Sequence, residues 1–267
     1  MPPTSGRWPT VLPPRELARI PTALTIRRVN LNVHPTPDDA NDAAADLLAG
    51  WLTAPDTRTL MVAAGNTPLD LYSRLAARRL NLGHLTVFAL DEYVGVPLTE
   101  PRNCANLLRR TVGNAWGIPP EQFHVVSSER ESALESVRDH ERRIEEAGGL
   151  DVLILGLGQN GHLGFNEPGS AFDCPGRLLE LEPISVAANR KWFNGEHAPA
   201  HGVTVGMKTV LAARRILLLA FGPHKSTAVS AMTGGPITPL CPASSLRTHP
   251  DVTVFLDTAA AAGATGA

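Results

Sequence analysis

The sequence predicts an α/β fold: a single Rossmann-like domain with a mostly parallel sheet and helices on both faces. Strand-like segments alternate with helical segments along the chain of 267 residues, an order that is typical of parallel sheets. The interiors of the predicted strands are apolar without strict alternation, as expected for strands that are covered on both faces. No linker and no internal repeat interrupts the chain, so one domain accounts for residues 24–258.

Each predicted element depends on a local signal. Short apolar runs predict strands at residues 24–32, 59–63, 85–90, 152–155, 215–220 and 252–256. Amphipathic or alanine-rich stretches predict helices at residues 38–51, 69–79, 104–112, 129–147, 184–192, 206–212 and 225–232. Recurrent prolines predict a flexible N-terminal extension over residues 1–23, and small residues predict a frayed tail over residues 259–267.

Composition excludes several classes of protein. Hydrophobic residues make up 43% of the chain and charged residues 19%, which are the proportions of an ordinary globular protein. A net charge of −2 argues against a dedicated nucleic-acid surface. Cys104, Cys174 and Cys241 lie far apart, without disulfide or zinc-ligand spacing. No signal-peptide core or membrane-length apolar run is present. We therefore expect a cytoplasmic protein with no metal, nucleic-acid or membrane partner.

The segment 151–169 carries the strongest chemical signal in the chain. There an apolar strand-like run leads directly into a polar, glycine-rich turn that contains Asn160, His162, Asn166 and Glu167. Open α/β sheets bind ligands beyond the carboxyl ends of their strands. Proton transfer requires an imidazole whose tautomer is set by a nearby partner. The sequence therefore predicts a catalytic loop, with a purely structural histidine as the alternative.

The same segment also matches a dinucleotide-binding pattern. Gly156, Gly158 and Gly161 give G-x-G-x-x-G after a strand, and a carboxylate at Glu182 follows about 20 residues later. That fingerprint requires a helix to begin at the turn, so that its amides hold the pyrophosphate. Residues 161–176 are too rich in glycine and proline to form such a helix. Binding of a nicotinamide cofactor is therefore disfavoured.

Three other predicted strand ends carry polar loops. Gly65, Asn66 and Thr67 precede a helix and predict an anion site, although Asn66 or Thr67 could equally be an ordinary helix cap. The adjacent carboxylates of Asp91 and Glu92 follow an apolar strand, where they are costly unless they are solvated or functional. Since parallel strands share one carboxyl edge, we expect these loops to meet.

The last of these loops places Lys225 at a strand-to-helix junction, after Gly222. A phosphate there could meet both an ammonium group and backbone amides. The spacing is not that of a Walker A loop. A solvated surface lysine is the alternative.

Together these motifs resemble a known family. Residues 65–69 (GNTPL), 90–95 (LDEYVG) and 158–169 (GQNGHLGFNEPG) are similar to the glucosamine-6-phosphate deaminase (isomerase) family. Residues 203–209 and 242–250 agree, and the similarity runs from about residue 24 to residue 257. The related 6-phosphogluconolactonases usually have Asp-Glu-Arg at the second motif and lack the Phe-Asn-Glu-Pro continuation of the third.

The resemblance implies an enzyme that converts D-glucosamine 6-phosphate and water to D-fructose 6-phosphate and ammonia, without a metal or organic cofactor. Asp91 is implied to be the base that moves a proton between C2 and C1. His162, polarised by Glu167 and oriented by Asn160, is implied to open the sugar ring. The resemblance also implies which residues hold the substrate's phosphate: Gly65, Asn66, Thr67 and Lys225, with Ala64 and Lys191 at two further family positions.

Several positions depart from the family pattern. Ala64 stands where many members have threonine or serine, and Lys191 stands where an arginine is usual. Cys104 lies where a tyrosine is usual. These changes leave open an enzyme for another amino or neutral sugar phosphate. A hydrolase of the lactonase type and a non-catalytic sugar-phosphate sensor are further alternatives.

The resemblance says less about regulation and assembly. Leu179 and Glu180 stand where allosterically activated members have a Lys-Thr pair, so allosteric activation is not expected. Members of the family occur as monomers and as larger assemblies, so the resemblance is compatible with a homo-oligomer.

Overall fold

The computed structural model describes residues 25–264, so the predicted extension over residues 1–23 lies outside the described residues. Its strands are β1 (Asn30–His34), β2 (Thr59–Val62), β3 (Thr86–Ala89), β4 (Asp91–Tyr93), β5 (Phe123–His124), β6 (Val152–Gly156), β7 (Arg177–Glu180), β8 (His201–Thr204), β9 (Arg215–Ala220) and β10 (Val252–Asp257). Its α-helices are α1 (Pro37–Leu52), α2 (Asn66–Ala77), α3 (Cys104–Leu108), α4 (Ala133–Glu146), α5 (Pro183–Trp192), α6 (Met207–Leu211) and α7 (Ser226–Gly234). No helix in this part of the chain has the length and apolar character needed to cross a membrane.

The main sheet is parallel throughout. Within residues 25–264 it has seven strands in the order β1-β10-β9-β6-β2-β3-β5, and each neighbouring pair is parallel. The predicted α/β class is therefore confirmed. From β2 the chain builds outward through β3 to β5, whereas β6 returns to the other side of β2 and leads to β9 and β10. Sheets of this kind bind ligands where the order reverses, here between β2 and β6.

Two apolar cores lie on the two faces of this sheet. In β2, Leu60 and Val62 face a core that includes α1 and α2, whereas Met61 faces a core that includes α4, α6 and α7. All four residues of β2 are buried. This explains why the strand sequences are apolar without alternation, and it confirms that helices cover both faces.

A second, smaller sheet corrects the interpretation of Asp91-Glu92-Tyr93. These residues were expected to form a loop after β3, but they form strand β4 of an antiparallel sheet with the order β4-β8-β7 within the described residues. Leu90 alone separates β4 from β3. Asp91 pairs with Thr204 of β8. The backbone of Asp91 is therefore fixed by strand pairing.

One carboxylate joins α4 to one end of the second sheet, where β7 begins and β8 ends. Glu141 accepts hydrogen bonds from the backbone N–H of Gly176 (2.7 Å), just before β7, and of Gly206 (2.9 Å), just after β8. It also accepts from the hydroxyl of Thr209 at 2.6 Å. The backbone packs closely here, since a Cβ on Gly206 would lie 2.0 Å from the carbonyl oxygen of Cys174.

Several element boundaries differ from the sequence prediction. Helix α3 ends at Leu108 and not at residue 112, and helix α4 begins at Ala133 and not at residue 129. Helix α2 begins at Asn66 and not at residue 69, because Gly65 has a φ of 108° and turns the chain directly into the helix. Strand β1 begins at Asn30, and residues 25–29 are not in a strand.

The C-terminal tail also differs from its prediction. The chain was expected to fray from residue 259, but Ala260–Gly263 form a 3₁₀ turn in which Ala260 is fully buried. The predicted start of the frayed segment is therefore too early, since apolar packing of small alanine side chains extends the fold to this turn.

We predict that Glu141→Ala lowers the free energy of unfolding by about 2–4 kcal/mol, because it leaves two backbone N–H groups and one hydroxyl without their charged acceptor. Urea unfolding followed by circular dichroism measures the change. Glu145→Ala, at an exposed position of the same helix, is the matched control and is expected to stay within about 0.5 kcal/mol of the original protein. Equal destabilisation by the two substitutions would contradict the role of Glu141.

Candidate active site

The four polar loops singled out in the sequence follow neighbouring strands. Strands β9, β6, β2 and β3 are adjacent in that order. Because these strands are parallel, their carboxyl ends lie at one edge of the sheet. The edge therefore carries the loop of Lys225, the loop of His162, the turn at Gly65 and the connection to Asp91. The expectation that the four loops share one edge is confirmed.

The turn after β2 leaves the N-terminus of α2 open. Gly65 occupies the cap position with a φ of 108°, and no side chain caps the helix. Asn66 and Thr67 lie in the first turn, so neither acts as the ordinary helix cap considered as an alternative. The first N–H groups of a helix have no partner within the helix and attract anions. This turn can therefore bind a phosphate group.

The imidazole of His162 lies directly on the backbone of Gly158. A Cβ at Gly158 would approach the ring to within 2.4 Å, so this position has room for glycine alone. The N–H of Gly158 donates to the carbonyl of His162 at 3.0 Å, and the N–H of Gly161 donates to that of Gly158 at 3.0 Å. Residues 157–176 contain no helix. The dinucleotide pattern thus lacks the helix it requires, as predicted.

The carboxylate of Glu167 is the centre of the loop's hydrogen bonds. Its Oε2 accepts from Asn160 Nδ2 at 2.8 Å and lies 3.2 Å from His162 Nδ1. Burial raises the pKa of Glu167, but hydrogen bonds from His162, Ser185 and Asn160 outweigh burial and hold this pKa below its ordinary value. An ionised carboxylate beside Nδ1 favours the tautomer with its proton on Nδ1. Nε2 of His162 is then free to accept a proton.

A C-terminal segment supports the same loop from outside. The N–H of Ala243 donates to the carbonyl of Gly161 at 2.9 Å, and the N–H of Gly169 donates to the carbonyl of Pro239 at 2.8 Å. A Cβ on Gly161 would lie 2.7 Å from Cys241 Sγ. These contacts give a structural reason for the 242–250 motif, which the sequence linked to the site only by resemblance.

Asp91 and Glu92 are both buried, but their surroundings differ. Glu92 accepts three backbone hydrogen bonds, from Tyr93 (2.7 Å), Cys104 (3.0 Å) and Ala105 (2.8 Å). Burial, followed by repulsion from Glu92, raises the pKa of Asp91 to about 7, and a hydrogen bond from the Cys104 thiol opposes the rise. A carboxyl group with a pKa near 7 can both accept and return a proton at neutral pH.

The Asp91 strand packs against the His162 loop. A Cβ on Gly164 would lie 3.0 Å from Leu90 Cδ2, which shows that the loop touches the residue before Asp91. The rings of Tyr93 and Phe165 are 5.0 Å apart. Strand β4, which carries Asp91, and the loop that carries His162 therefore pack against each other.

The predicted phosphate-binding residues differ in their burial and in their contacts. Lys225 is half-buried and its Nζ donates to the carbonyl of Leu157 at 2.5 Å, so it is not a solvated surface lysine. Burial lowers the pKa of Lys225. Ala64 is half-buried beside Gly65. Lys191 is exposed in the last turn of α5, and no hydrogen bond or ion pair among the described residues joins it to the other predicted site residues.

Two further polar side chains reach the site from α5 and were missed by the sequence reasoning. Ser185 Oγ lies 3.4 Å from His162 Nδ1, and Asn189 Oδ1 accepts from the Tyr93 hydroxyl at 3.2 Å. These contacts join residues that are 23 and 96 positions apart. Their spacing of four residues on one helix face was the one available signal, and it is equally typical of an ordinary helix.

The comparison with known families agrees with this geometry. A family model described as glucosamine-6-phosphate isomerases/6-phosphogluconolactonase matches residues 35–255. The chain belongs to this family. It is 38% identical over 234 residues to a glucosamine-6-phosphate deaminase of Corynebacterium kroppenstedtii, with 86% of this chain and 90% of the relative covered. It is 40% identical over 223 residues to that of Cutibacterium acnes, with 82% and 85% covered. The resemblance seen in the motifs is confirmed.

Solved structures of the family share the fold. A monomeric glucosamine-6-phosphate deaminase superposes with a TM-score of 0.83 at 29% identity, over 88% of this chain and 99% of that chain. A 6-phosphogluconolactonase of Trypanosoma cruzi superposes with a TM-score of 0.74 at 21% identity, over 90% and 98%. The second likeness shows a common fold and carries no information on the reaction.

We predict that Asp91→Asn stabilises the protein increasingly as the pH rises. In the folded protein Asp91 keeps its proton up to about pH 7, whereas an unfolded aspartate loses its proton near pH 4. The protein therefore loses stability as the pH rises from about 4 to about 7, by on the order of 4 kcal/mol at most, and Asp91→Asn removes this loss. Urea unfolding at about pH 5 and about pH 8.5 measures the difference.

The exposed Asp173 provides the control for this prediction. Asp173→Asn is expected to change stability equally at both pH values. If the difference between Asp91→Asn and the original protein is also the same at both, Asp91 is ionised in the folded state at low pH and its raised pKa is wrong.

Proposed function

We propose that this chain is a glucosamine-6-phosphate deaminase, which converts D-glucosamine 6-phosphate and water to D-fructose 6-phosphate and ammonia. The observation that carries the proposal is the pair of proton-transfer groups at one sheet edge: a buried carboxyl with a pKa of about 7 at Asp91, and His162 beside Glu167. Deaminases from C. kroppenstedtii and C. acnes, at 38% and 40% identity, support this choice within the family.

Ring opening is assigned to the imidazole. Nε2 of neutral His162 accepts the proton of the C1 hydroxyl and returns a proton to the ring oxygen, so the pyranose opens to the aldehyde. Glu167 stabilises the imidazolium that forms in between, because its carboxylate lies 3.2 Å from Nδ1. Asn160 positions both groups: it donates to Glu167 at 2.8 Å and accepts from the backbone N–H of His162 at 3.2 Å.

Isomerisation is assigned to Asp91. Its carboxylate removes the proton from C2 of the open-chain sugar, which gives an enolamine, and then delivers that proton to C1. The resulting C2 imine takes up water and releases ammonia, which leaves the ketone. A base with a pKa of about 7 suits this step, because the same group must take and return one proton.

The phosphate is assigned to the two loops that flank β6. The open N-terminus of α2, with Gly65, Asn66 and Thr67, supplies backbone N–H groups. Lys225 supplies a positive charge from the loop after β9, and Ala64 lines the same turn. Lys191 completes the proposed set from α5, where its exposed ammonium is available to a bound phosphate.

We predict that the purified protein releases ammonia and fructose 6-phosphate from glucosamine 6-phosphate, and that Asp91→Asn lowers kcat by about 10²–10⁴-fold, the usual contribution of a positioned base. Since the base must be ionised, kcat/KM is expected to rise with pH through about 7. Coupled assays for both products give the rates, with Asp173→Asn as the matched control. If other amino-sugar phosphates or 6-phosphogluconolactone turn over and glucosamine 6-phosphate does not, the proposed substrate is wrong.

We predict that Lys225→Ala raises KM for glucosamine 6-phosphate by about 10–100-fold and changes kcat little, because a charged hydrogen bond contributes about 1.5–3 kcal/mol. Initial rates of ammonia release over a range of substrate concentrations separate the two constants. Lys208→Ala, at an exposed position of α6, provides the comparison. An unchanged KM in Lys225→Ala contradicts the assignment of this lysine to the phosphate.

A further inference from the structure

Helix α5 buries an unusual pair of side chains. Every residue of this helix is described, and the two that it buries are Ser185 and Asn189. A surface helix normally buries an apolar stripe, whereas both of these residues are polar. Each of them contacts the candidate site, Ser185 at His162 and Asn189 at Tyr93. The buried face of α5 therefore consists of polar residues that contact the candidate site, and not of apolar core residues.

The start of α5 faces the carboxylate of Glu167. The backbone N–H of Glu182, the cap residue of α5, donates to Glu167 Oε1 at 3.4 Å. In the first turn of the helix, Ser185 is 5% exposed, and its hydroxyl lies 3.4 Å from His162 Nδ1, the atom that faces Glu167 Oε2 at 3.2 Å. The N-terminal end of a helix also attracts negative charge. The carboxylate is thus bound on one side by Asn160 and on the other by α5.

We propose that Ser185 is a positioning residue that holds the Glu167 carboxylate and the His162 imidazole in one arrangement. An ionised carboxylate has about four acceptor positions, and at 4% exposure Glu167 cannot fill them with bulk water. The Ser185 hydroxyl is placed beside the His162–Glu167 pair and helps to lower the pKa of this carboxyl group. Its loss leaves Glu167 easier to protonate and frees the imidazole to turn.

Asn189 connects the same helix face to the other half of the site. It lies one turn after Ser185 and accepts from the hydroxyl of Tyr93, two residues after Asp91. Its side-chain N–H donates to the carbonyl of Pro199 at 3.3 Å, which fixes the orientation of the amide. The position of α5, and therefore that of Ser185, depends on its contact with β4, the strand that carries Asp91.

The kinetic consequence of this proposal rests on the proposed function. In Ser185→Ala we expect kcat for ammonia release to fall about tenfold, equivalent to one net hydrogen bond, while KM stays within about threefold. Ser185→Thr keeps the hydroxyl and is expected to recover most of the rate. Ser73→Ala removes a serine from an exposed position of α2 and is the matched control. A rise in KM with unchanged kcat, or no recovery in Ser185→Thr, would overturn the positioning role.

A second measurement tests the contact without turnover. The side-chain carboxyl ¹³C signal of Glu167, assigned by its absence in Glu167→Gln, reports the titration of this group directly. We expect its midpoint to rise by about half a pH unit to one unit in Ser185→Ala, as for loss of one net hydrogen bond, and to stay unchanged in Ser73→Ala. An unchanged midpoint in Ser185→Ala shows that the serine does not hold the carboxylate, and the proposal then fails.

The two measurements also separate this proposal from the proposed function. If the original protein releases no ammonia from glucosamine 6-phosphate, the deaminase assignment fails, yet the ¹³C titration still decides whether Ser185 holds Glu167. If turnover is normal and the titration midpoint does not move, the deaminase assignment stands and the role of Ser185 is wrong.

Discussion

Two adjacent buried carboxyl groups set the main constraint on this structure. A buried charge is costly unless it is paired or hydrogen-bonded. Three backbone N–H groups, two of them at the start of α3, offset part of that cost for Glu92, although burial still raises its pKa. Asp91 receives no such set in the described residues, and the charge of its neighbour raises its pKa further. Burial, followed by the neighbouring carboxyl group of Glu92, thus raises the pKa of Asp91 into the range of a proton carrier. Strand β4 and helix α3 both hold this arrangement in place.

In the loop that carries His162, the pKa of the buried carboxyl group is shifted in the opposite direction. Where Asp91 is pushed towards its neutral form, Glu167 is kept ionised by donors from its own loop and from α5. The pKa values of Asp91 and Glu167 therefore differ widely, although both carboxyl groups are buried. Environments that separate the pKa values of two acids are a general way to give one the role of proton carrier and the other that of fixed charge.

The sequence was sufficient for the parts that depend on local signals. Apolar runs located six of the seven strands of the main sheet and missed β5, which has only two residues. Glycine-rich turns located the loops at the carboxyl edge of the sheet. The second sheet was missed because β7 is half-buried and short, and because its register with β8 is set by contacts more than 20 residues away. The contacts of Ser185 with His162 and of Glu141 with Gly206 span 23 and 65 positions, and no local pattern predicts such pairs. Side-chain partners across long separations are decided by packing, which sequence periodicity does not encode.

The position of β1 has a consequence for how the chain reaches its fold during synthesis. In the described sheet, β1 lies at the edge and its one neighbour is β10, which ends at Asp257. Within the described residues, the first strand to leave the ribosome therefore cannot pair in the sheet until the last one has been made, whereas the interior strands β2 and β6 are synthesised before then. Pairings between distant segments form slowly, and unpaired strand edges invite aggregation. During synthesis, the edge of β1 therefore stays unpaired until β10 has been made.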